Sequence, residues 1–195
     1  MESFQHVMSL ISVVIGLGVA HILSALGQAI HRRMGSGAPL KLDATTLLWI
    51  GFVFIWLVGF WWFEYRFSEQ AVWTMGLYLF LLGYSVLLFM LAIVLVPFQL
   101  EGVSSTREHF FKVRPWFYGL LLAVNVVDLG DTFMKGMNWG LRPSYLIFWG
   151  ATSLVCIIGL VTKKPRVHLF MALVMFLWQL QYTFADIGVL KATTG

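Results

Sequence analysis

Six long apolar runs, separated by short polar segments, follow one another along the chain. A membrane-spanning helix needs about 20 predominantly apolar residues. The runs predict six spans, at approximately 4–30, 44–64, 71–97, 115–134, 143–162 and 167–190. We therefore predict an all-α fold, a polytopic membrane protein whose six-transmembrane-helix bundle forms a single transmembrane domain over residues 1–195.

Residues at the ends of the runs carry signals for starting or stopping a helix. Asp43 is a candidate N-cap for the second span, because its side chain can accept a hydrogen bond from the first turn. Pro97 is expected to stop the third span. Pro115 and Pro143 are expected in the first turns of the fourth and fifth spans, where a proline is tolerated.

Composition supports a membrane protein, since 59% of residues are hydrophobic and 11% are charged, against about 25% charged residues in soluble domains. The mean hydropathy is +0.83. So few charges cannot cover a water-facing surface, which excludes soluble domains and disordered chains. The net charge of +4 does not indicate nucleic-acid binding, because the basic residues lie in short clusters between the apolar runs.

Lysine and arginine divide unequally between the two sides of the predicted bundle. Nine flank the segments 31–43, 98–114 and 163–166, and four flank the other side. Because loops rich in Lys and Arg stay in the cytoplasm, we predict that these three loops are cytoplasmic and that both termini are outside (N-out/C-out). The expected location is a bacterial inner (plasma) membrane.

Six tryptophans near the predicted span boundaries are interpreted as interfacial anchors. They are Trp61, Trp62, Trp73 and Trp139 at the outer boundary and Trp49 and Trp116 at the inner boundary.

Carboxylates within or beside the spans collect towards the outer side. Asp128 and Asp131 lie roughly 21 and 26 Å from the cytoplasmic end of the fourth span. Glu64 and Asp186 lie roughly 30 Å from the cytoplasmic ends of their own spans. Asn125 shares a helical face with Asp128 and Asp131. Ionisable groups at membrane depth usually face a bundle interior or an aqueous cavity, so we predict an outward-open acidic vestibule.

Two interpretations of this vestibule stay open. It can concentrate cations or hold a proton, as carboxylate rings do in cation pores, with Asp128, the deepest carboxylate, as the candidate protonatable group. Alternatively, the acids are simply paired with cations at the same level, namely Lys135, Arg66 and Arg142.

His21 lies in the inner half of the first span, beside a ladder of small residues at i+4 spacing. The ladder consists of Ser12, Gly16, Ala20 and Ser24, and such a face lets helices approach closely, within a chain or between subunits. We interpret His21 as a neutral histidine bonded to a neighbouring helix, a proton relay that continues the path inward, or a metal or haem ligand.

Catalytic motifs are not found in the sequence: it has no HExxH, GxSxG or phosphate-binding glycine loop, and its one cysteine, Cys156, excludes an intrachain disulfide.

Three hypotheses for the function follow from the sequence. The first is a channel or carrier for cations or protons, the second is a non-catalytic accessory or scaffold subunit of a membrane complex, and the third is an intramembrane metal or redox enzyme. We assign no cofactor, although a haem or metal cofactor stays open. Expected partners are the lipid bilayer, a cation or proton, and a second copy or a membrane-complex partner.

Overall fold

The computed structural model describes residues 2–35, 40–70, 72–100 and 102–186, without the side chains of residues 2, 3, 185 and 186. Seven α-helices lie in this part of the chain: α1 (Glu2–Met34), α2 (Ala44–Glu64), α3 (Met75–Leu95), α4 (Thr106–Met134), the short α5 (Met137–Gly140), α6 (Pro143–Val161) and α7 (Pro165–Gln181). A 3₁₀ turn, Tyr65–Glu69, extends α2, and a π turn, Tyr182–Asp186, extends α7.

Six of these helices are long and apolar enough to cross a membrane, and the described residues contain no β-strand. The prediction of an all-α, six-helix membrane bundle is confirmed. α2 is the most enclosed helix, because it packs against α1, α3, α4 and α7. The remaining long helices contact one another in the order α1, α3, α4, α6, α7.

The bundle has two ends that differ in what they contain. The terminal end holds the start of α1, where Phe4 packs against Trp61 and Tyr65 at the end of α2. The loop end lies opposite, where the backbone of Lys41 bonds to Ser104 and Thr106, each at 3.0 Å. The Lys and Arg distribution predicts that the terminal end is the outer one.

Most of the predicted helix-end signals agree with the structure. The Asp43 side chain accepts a hydrogen bond from the Thr46 amide at 3.3 Å, and Pro143 is the first residue of α6. α3 ends at Leu95, two residues before Pro97.

The prediction for Pro115 is wrong, because α4 begins at Thr106 and Pro115 lies inside it. A proline within a helix removes one backbone hydrogen bond. Phe110 and Phe117, on either side of Pro115, are fully buried, and their packing keeps the helix continuous.

The prediction of an interfacial Trp49 is also wrong. Trp49 is fully buried, and Phe52, Phe117 and Tyr118 pack edge-to-face around its indole ring. Trp116 is 73% exposed on the outside of the bundle. Trp49 and Trp116 thus lie near the same end of the bundle, but one faces its interior and the other its outside. The side of the helix on which each residue lies decides this, and distance from a span boundary does not predict it.

Candidate functional site

A cavity of about 100 Å³ lies at the terminal end of the bundle. Its walls come from α2, α3, α4, α5, α6, α7 and the two turns that extend α2 and α7. Aromatic side chains line most of it, with charged and amide groups among them: Trp56, Trp62, Phe63, Glu64, Arg66, Tyr84, Asp128, Thr132, Lys135, Trp139, Tyr145, Phe148, Gln179 and Tyr182.

α4 supplies Asp128 to the cavity, and Lys135 follows directly after it, because one face of this helix carries polar residues over about six turns. Arg114, Tyr118, Asn125, Asp128 and Lys135 are separated by spacings of three, four or seven residues, which place side chains on the same side of a helix. This side faces α3, α6 and α7. The sequence therefore puts ionisable groups inside the bundle rather than against lipid, as expected at membrane depth.

Asp128 is held by hydroxyl groups from two other helices. Tyr84 on α3 donates to its Oδ1 at 2.9 Å, and Tyr145 on α6 donates to its Oδ2 at 2.9 Å. The indole N–H of Trp56 on α2 donates in turn to the Tyr84 hydroxyl at 3.2 Å. No Lys, Arg or His pairs with Asp128 in the part of the chain that the structure describes.

Lys135, immediately after α4, bridges the two neighbouring carboxylates. Its Nζ donates to Glu64 Oε1 at 3.0 Å and to Asp131 Oδ2. The side chains of Glu64 and Asp131 are 1% exposed and that of Lys135 is 7% exposed. The ion-pair interpretation therefore describes Glu64 and Asp131, and it does not describe Asp128.

Arg66 and Arg142, the other predicted partners of the acids, are both placed against Trp139. The guanidinium carbons lie 3.2 Å and 3.8 Å from the centre of a Trp139 ring. Stacking on an indole face stabilises a guanidinium group by a cation–π interaction. Among the described residues, Lys135 is therefore the basic side chain that pairs with carboxylates beside the cavity, namely Glu64 and Asp131.

Asn125 lies one turn deeper than Asp128 and joins α4 to α6. Its amide donates to the Trp149 carbonyl at 3.1 Å and to the Ser153 hydroxyl at 2.8 Å. The Trp149 indole donates to the Asn125 backbone carbonyl at 2.8 Å. Asn125 is thus engaged with α6 and makes no direct bond to the carboxylates.

His21 is not brought together with the carboxylates. Its Nε2 donates to the Val96 carbonyl at 2.7 Å, at the loop end of α3, and Phe98 packs against the imidazole. Tyr84 and Val96 are 12 residues apart on this helix, about 18 Å. The structure thus gives His21 a hydrogen bond to a neighbouring helix and separates it from Asp128.

The remaining predicted site residues lie on the outside of the bundle or outside the described part. Ser12, Gly16, Ala20 and Ser24 are all exposed, and Gly16 has no neighbouring atom within 4 Å of the position of a Cβ. The ladder is therefore not covered by any of the residues that the structure describes. The side chain of Asp186 lies outside the described residues.

Sequence reasoning missed the tyrosines that hold Asp128. Tyr84 lies in the middle of an apolar helix, next to Ser85, and that polar pair in a span was the available signal. Tyr145 follows Pro143 closely and resembles an interfacial aromatic residue.

A second polar cluster, at the loop end of α4, was also missed. His168 Nε2 donates to the Thr162 carbonyl at 3.0 Å, so in the neutral ring Nδ1 accepts from the Tyr118 hydroxyl at 2.9 Å. Arg114 donates to the same Thr162 carbonyl. His168 and Tyr118 are fully buried.

Comparison with protein-family models, curated proteins and solved structures finds no match for this chain. Its function has therefore to be argued from the site. Among the described residues, no three His, Cys, Asp or Glu side chains are grouped so that they could hold a metal ion.

Proposed function

We propose that this integral membrane protein is a small channel or carrier for cations or protons, which enter through the cavity at the terminal end and bind at Asp128. The observation that carries the proposal is the position of Asp128. Its carboxylate lines the cavity and is held by two tyrosine hydroxyls, without a bonded cation from the described part of the chain.

The depth of Asp128 supports a binding role. It lies six residues before the end of α4, about 9 Å along the helix axis. A carboxylate held by neutral donors inside a membrane bundle retains its attraction for a cation, and such groups mark ion and proton pathways. The Lys and Arg distribution predicts that the terminal end faces outward, so in this proposal the cation enters from the outer side.

The groups around Asp128 support the same role. Tyr84 and Tyr145 come from separate helices and fix both carboxylate oxygens. Aromatic faces such as Trp56 and Phe148 line the cavity, and aromatic faces attract cations. Lys135 offsets the charge of Glu64 and Asp131, so the cavity is not so acidic that a cation would be trapped.

Flux through proteoliposomes that contain the purified chain tests the proposal. A pH-sensitive dye inside the vesicles reports proton flux, and imposed K⁺ or Na⁺ gradients report cation flux. We expect flux in the wild type and none in Asp128→Asn, whose amide keeps the size of the side chain and removes its charge. Glu108→Gln, at an exposed position on α4 near the loop end, serves as the matched control and keeps wild-type flux. The absence of flux of protons, K⁺ and Na⁺ would contradict the proposal.

A second candidate function, an accessory subunit of a membrane complex, is favoured by the exposed ladder on α1. A stripe of small residues that no helix in the described part of the chain covers is available to a helix of another subunit. Cross-linking in native membranes from a cysteine introduced at Gly16 distinguishes the two candidates. One stoichiometric partner of another sequence supports the accessory role, whereas cross-linking only to lipid, or to a second copy, argues against it.

A further inference from the structure

We propose that Glu64 and Asp131 share one bound proton beside the ammonium group of Lys135, and that this pair is a proton-binding site distinct from Asp128. The two carboxyl groups come from different helices, α2 and α4, and converge on the same Nζ atom. The first observation that indicates a bound proton is a pair of carboxyl oxygen atoms without a hydrogen-bond partner.

Each carboxyl uses one oxygen on Lys135 and leaves the other without a donor. These atoms, Glu64 Oε2 and Asp131 Oδ1, are both buried and unpartnered. A buried polar atom without a partner costs about 1–3 kcal/mol, and more when it is charged. The side chains of Glu64 and Asp131 are within hydrogen-bonding reach of each other. A single proton therefore removes both deficits, because the hydroxyl of the protonated carboxyl donates to the free oxygen of the other carboxylate.

Charge balance points to the same number of protons. Two ionised carboxylates and one ammonium group leave one uncompensated negative charge in a site that is almost fully buried. Removing an ion from water is expensive unless the ion is paired. One bound proton leaves a single carboxylate opposite a single ammonium group, so the three side chains become neutral together.

Among the residues that the structure describes, none besides Lys135 forms an ion pair with the two carboxyls. Tyr84 on α3 and Asp128 on α4 face it, and neither carries positive charge. The Phe67 ring lies 5.4 Å from Lys135 Nζ. Arg66, on the turn after α2, is stacked on Trp139.

A proton fits this pair better than a metal ion does. Hard cations such as Ca²⁺ and Mg²⁺ need six or more oxygen ligands, whereas two unpartnered oxygens are available here. The ammonium group of Lys135 already bonds to one oxygen of each carboxyl and would repel a metal ion. Glu64 and Asp131 are also too enclosed, at 1% exposure, to leave room for a hydrated ion.

The consequence for transport rests on the proposed function. Asp131 is three residues after Asp128 on α4 and shares its polar side of the helix. A cation that binds at Asp128 therefore repels the proton of the pair, and the release of that proton favours cation binding. Binding at one site and proton release at the other are thus coupled, as an exchanger of protons for cations requires.

Infrared spectroscopy of the purified full-length chain tests the proton directly and needs no transport. Near neutral pH we expect one carbonyl band of a protonated carboxylic acid, shifted by H₂O/D₂O exchange. The band is lost in Asp131→Asn and in Glu64→Gln, because the remaining carboxylate pairs alone with Lys135. It persists in Asp128→Asn and in the control Glu108→Gln.

Three results overturn the proposal: no protonated-acid band in the wild type, a band that persists in either pair variant, or a band lost only in Asp128→Asn. The wild-type spectrum alone decides the first of these, so a variant that fails to fold does not protect the proposal. If the band behaves as expected and proteoliposomes show no flux, the proposed function fails while the proton site stands.

Discussion

The two ends of α4 carry polar clusters that are built on different chemistry. At the terminal end, the carboxyl groups of Glu64 and Asp128 and the ammonium group of Lys135 line a cavity of about 100 Å³, and Asp131 bonds to Lys135. At the loop end, His168 and Arg114 both donate to the backbone carbonyl of Thr162, and the Tyr118 hydroxyl donates to His168. Each cluster leaves buried polar atoms without a partner, namely Glu64 Oε2 and Asp131 Oδ1 in the first and Arg114 Nε in the second. Of the two clusters, the first contains charged groups that line the cavity.

This difference teaches which polar groups inside a membrane bundle are available to a ligand. The side chains of the loop-end cluster are occupied by internal hydrogen bonds. Tyr118 bonds to His168, and His168 bonds to the backbone carbonyl of Thr162, directly after α6. The terminal-end cluster leaves oxygen atoms of Glu64 and Asp131 unpartnered and exposes Asp128 to the cavity. This difference is why we propose ligand binding at the terminal-end cluster and a structural role for the loop-end cluster.

The largest effect is expected from Lys135→Met, which removes the shared partner of two buried carboxylates. Removing one member of a buried ion pair costs about 3–5 kcal/mol. We expect the free energy of unfolding in detergent to fall by this amount, measured by thermal or denaturant unfolding. Lys112→Met, at an exposed position on the same helix, is the control and changes stability by less than about 0.5 kcal/mol. Equal stability of the two variants would contradict a structural role for the Lys135 bridge.

A tyrosine-to-phenylalanine exchange at the terminal end ranks second. Tyr84→Phe removes a hydrogen bond to the Asp128 carboxylate, and a bond to a charged group contributes about 1.5–3 kcal/mol. It also leaves the indole N–H of Trp56 without its acceptor. We expect lower thermal stability together with altered flux in proteoliposomes. A stable variant with unchanged flux would remove Tyr84 from the site.

The same exchange at the loop end sharpens the comparison. Tyr118→Phe removes a hydrogen bond between neutral groups, which contributes about 0.5–1.5 kcal/mol. Stability should fall by less than in Tyr84→Phe, and flux per folded molecule should stay at the wild-type level. Loss of flux in Tyr118→Phe would show that the loop-end cluster belongs to the pathway.

The smallest effect is expected from Gly16→Ala on the exposed ladder. An added Cβ meets no atom within 4 Å, so the stability of the isolated chain should change by less than about 0.5 kcal/mol. Gly159→Ala is the matched control, since its Cβ would lie 2.5 Å from the Tyr118 ring and overpacking costs about 1–3 kcal/mol. Thermal unfolding of both variants checks this, and a marked loss of stability in Gly16→Ala would mean that the ladder is covered.

The sequence predicted the fold because membrane spans depend on length and apolar composition, which are local properties. It also predicted that Glu64, Asp128 and Asp131 lie towards the same side of the membrane, since depth follows from counting residues along a helix. It did not predict that Lys135 bonds to Glu64 as well as to Asp131, because depth does not specify which helices are neighbours. Tyr84 and Tyr145 escaped notice for the same reason, and Trp49 and Pro115 were misjudged because tertiary packing overrode a local signal.

Side-specific labelling of Thr132→Cys tests most directly whether the cavity is the entrance. Thr132 lines the cavity, whereas the native Cys156 is fully buried, so the wild type is the unlabelled control. We expect a membrane-impermeant cationic thiosulfonate to react from the outer side, to which the terminal end is assigned, and to block flux. Labelling only from the opposite side, or complete labelling with unchanged flux, would contradict the account.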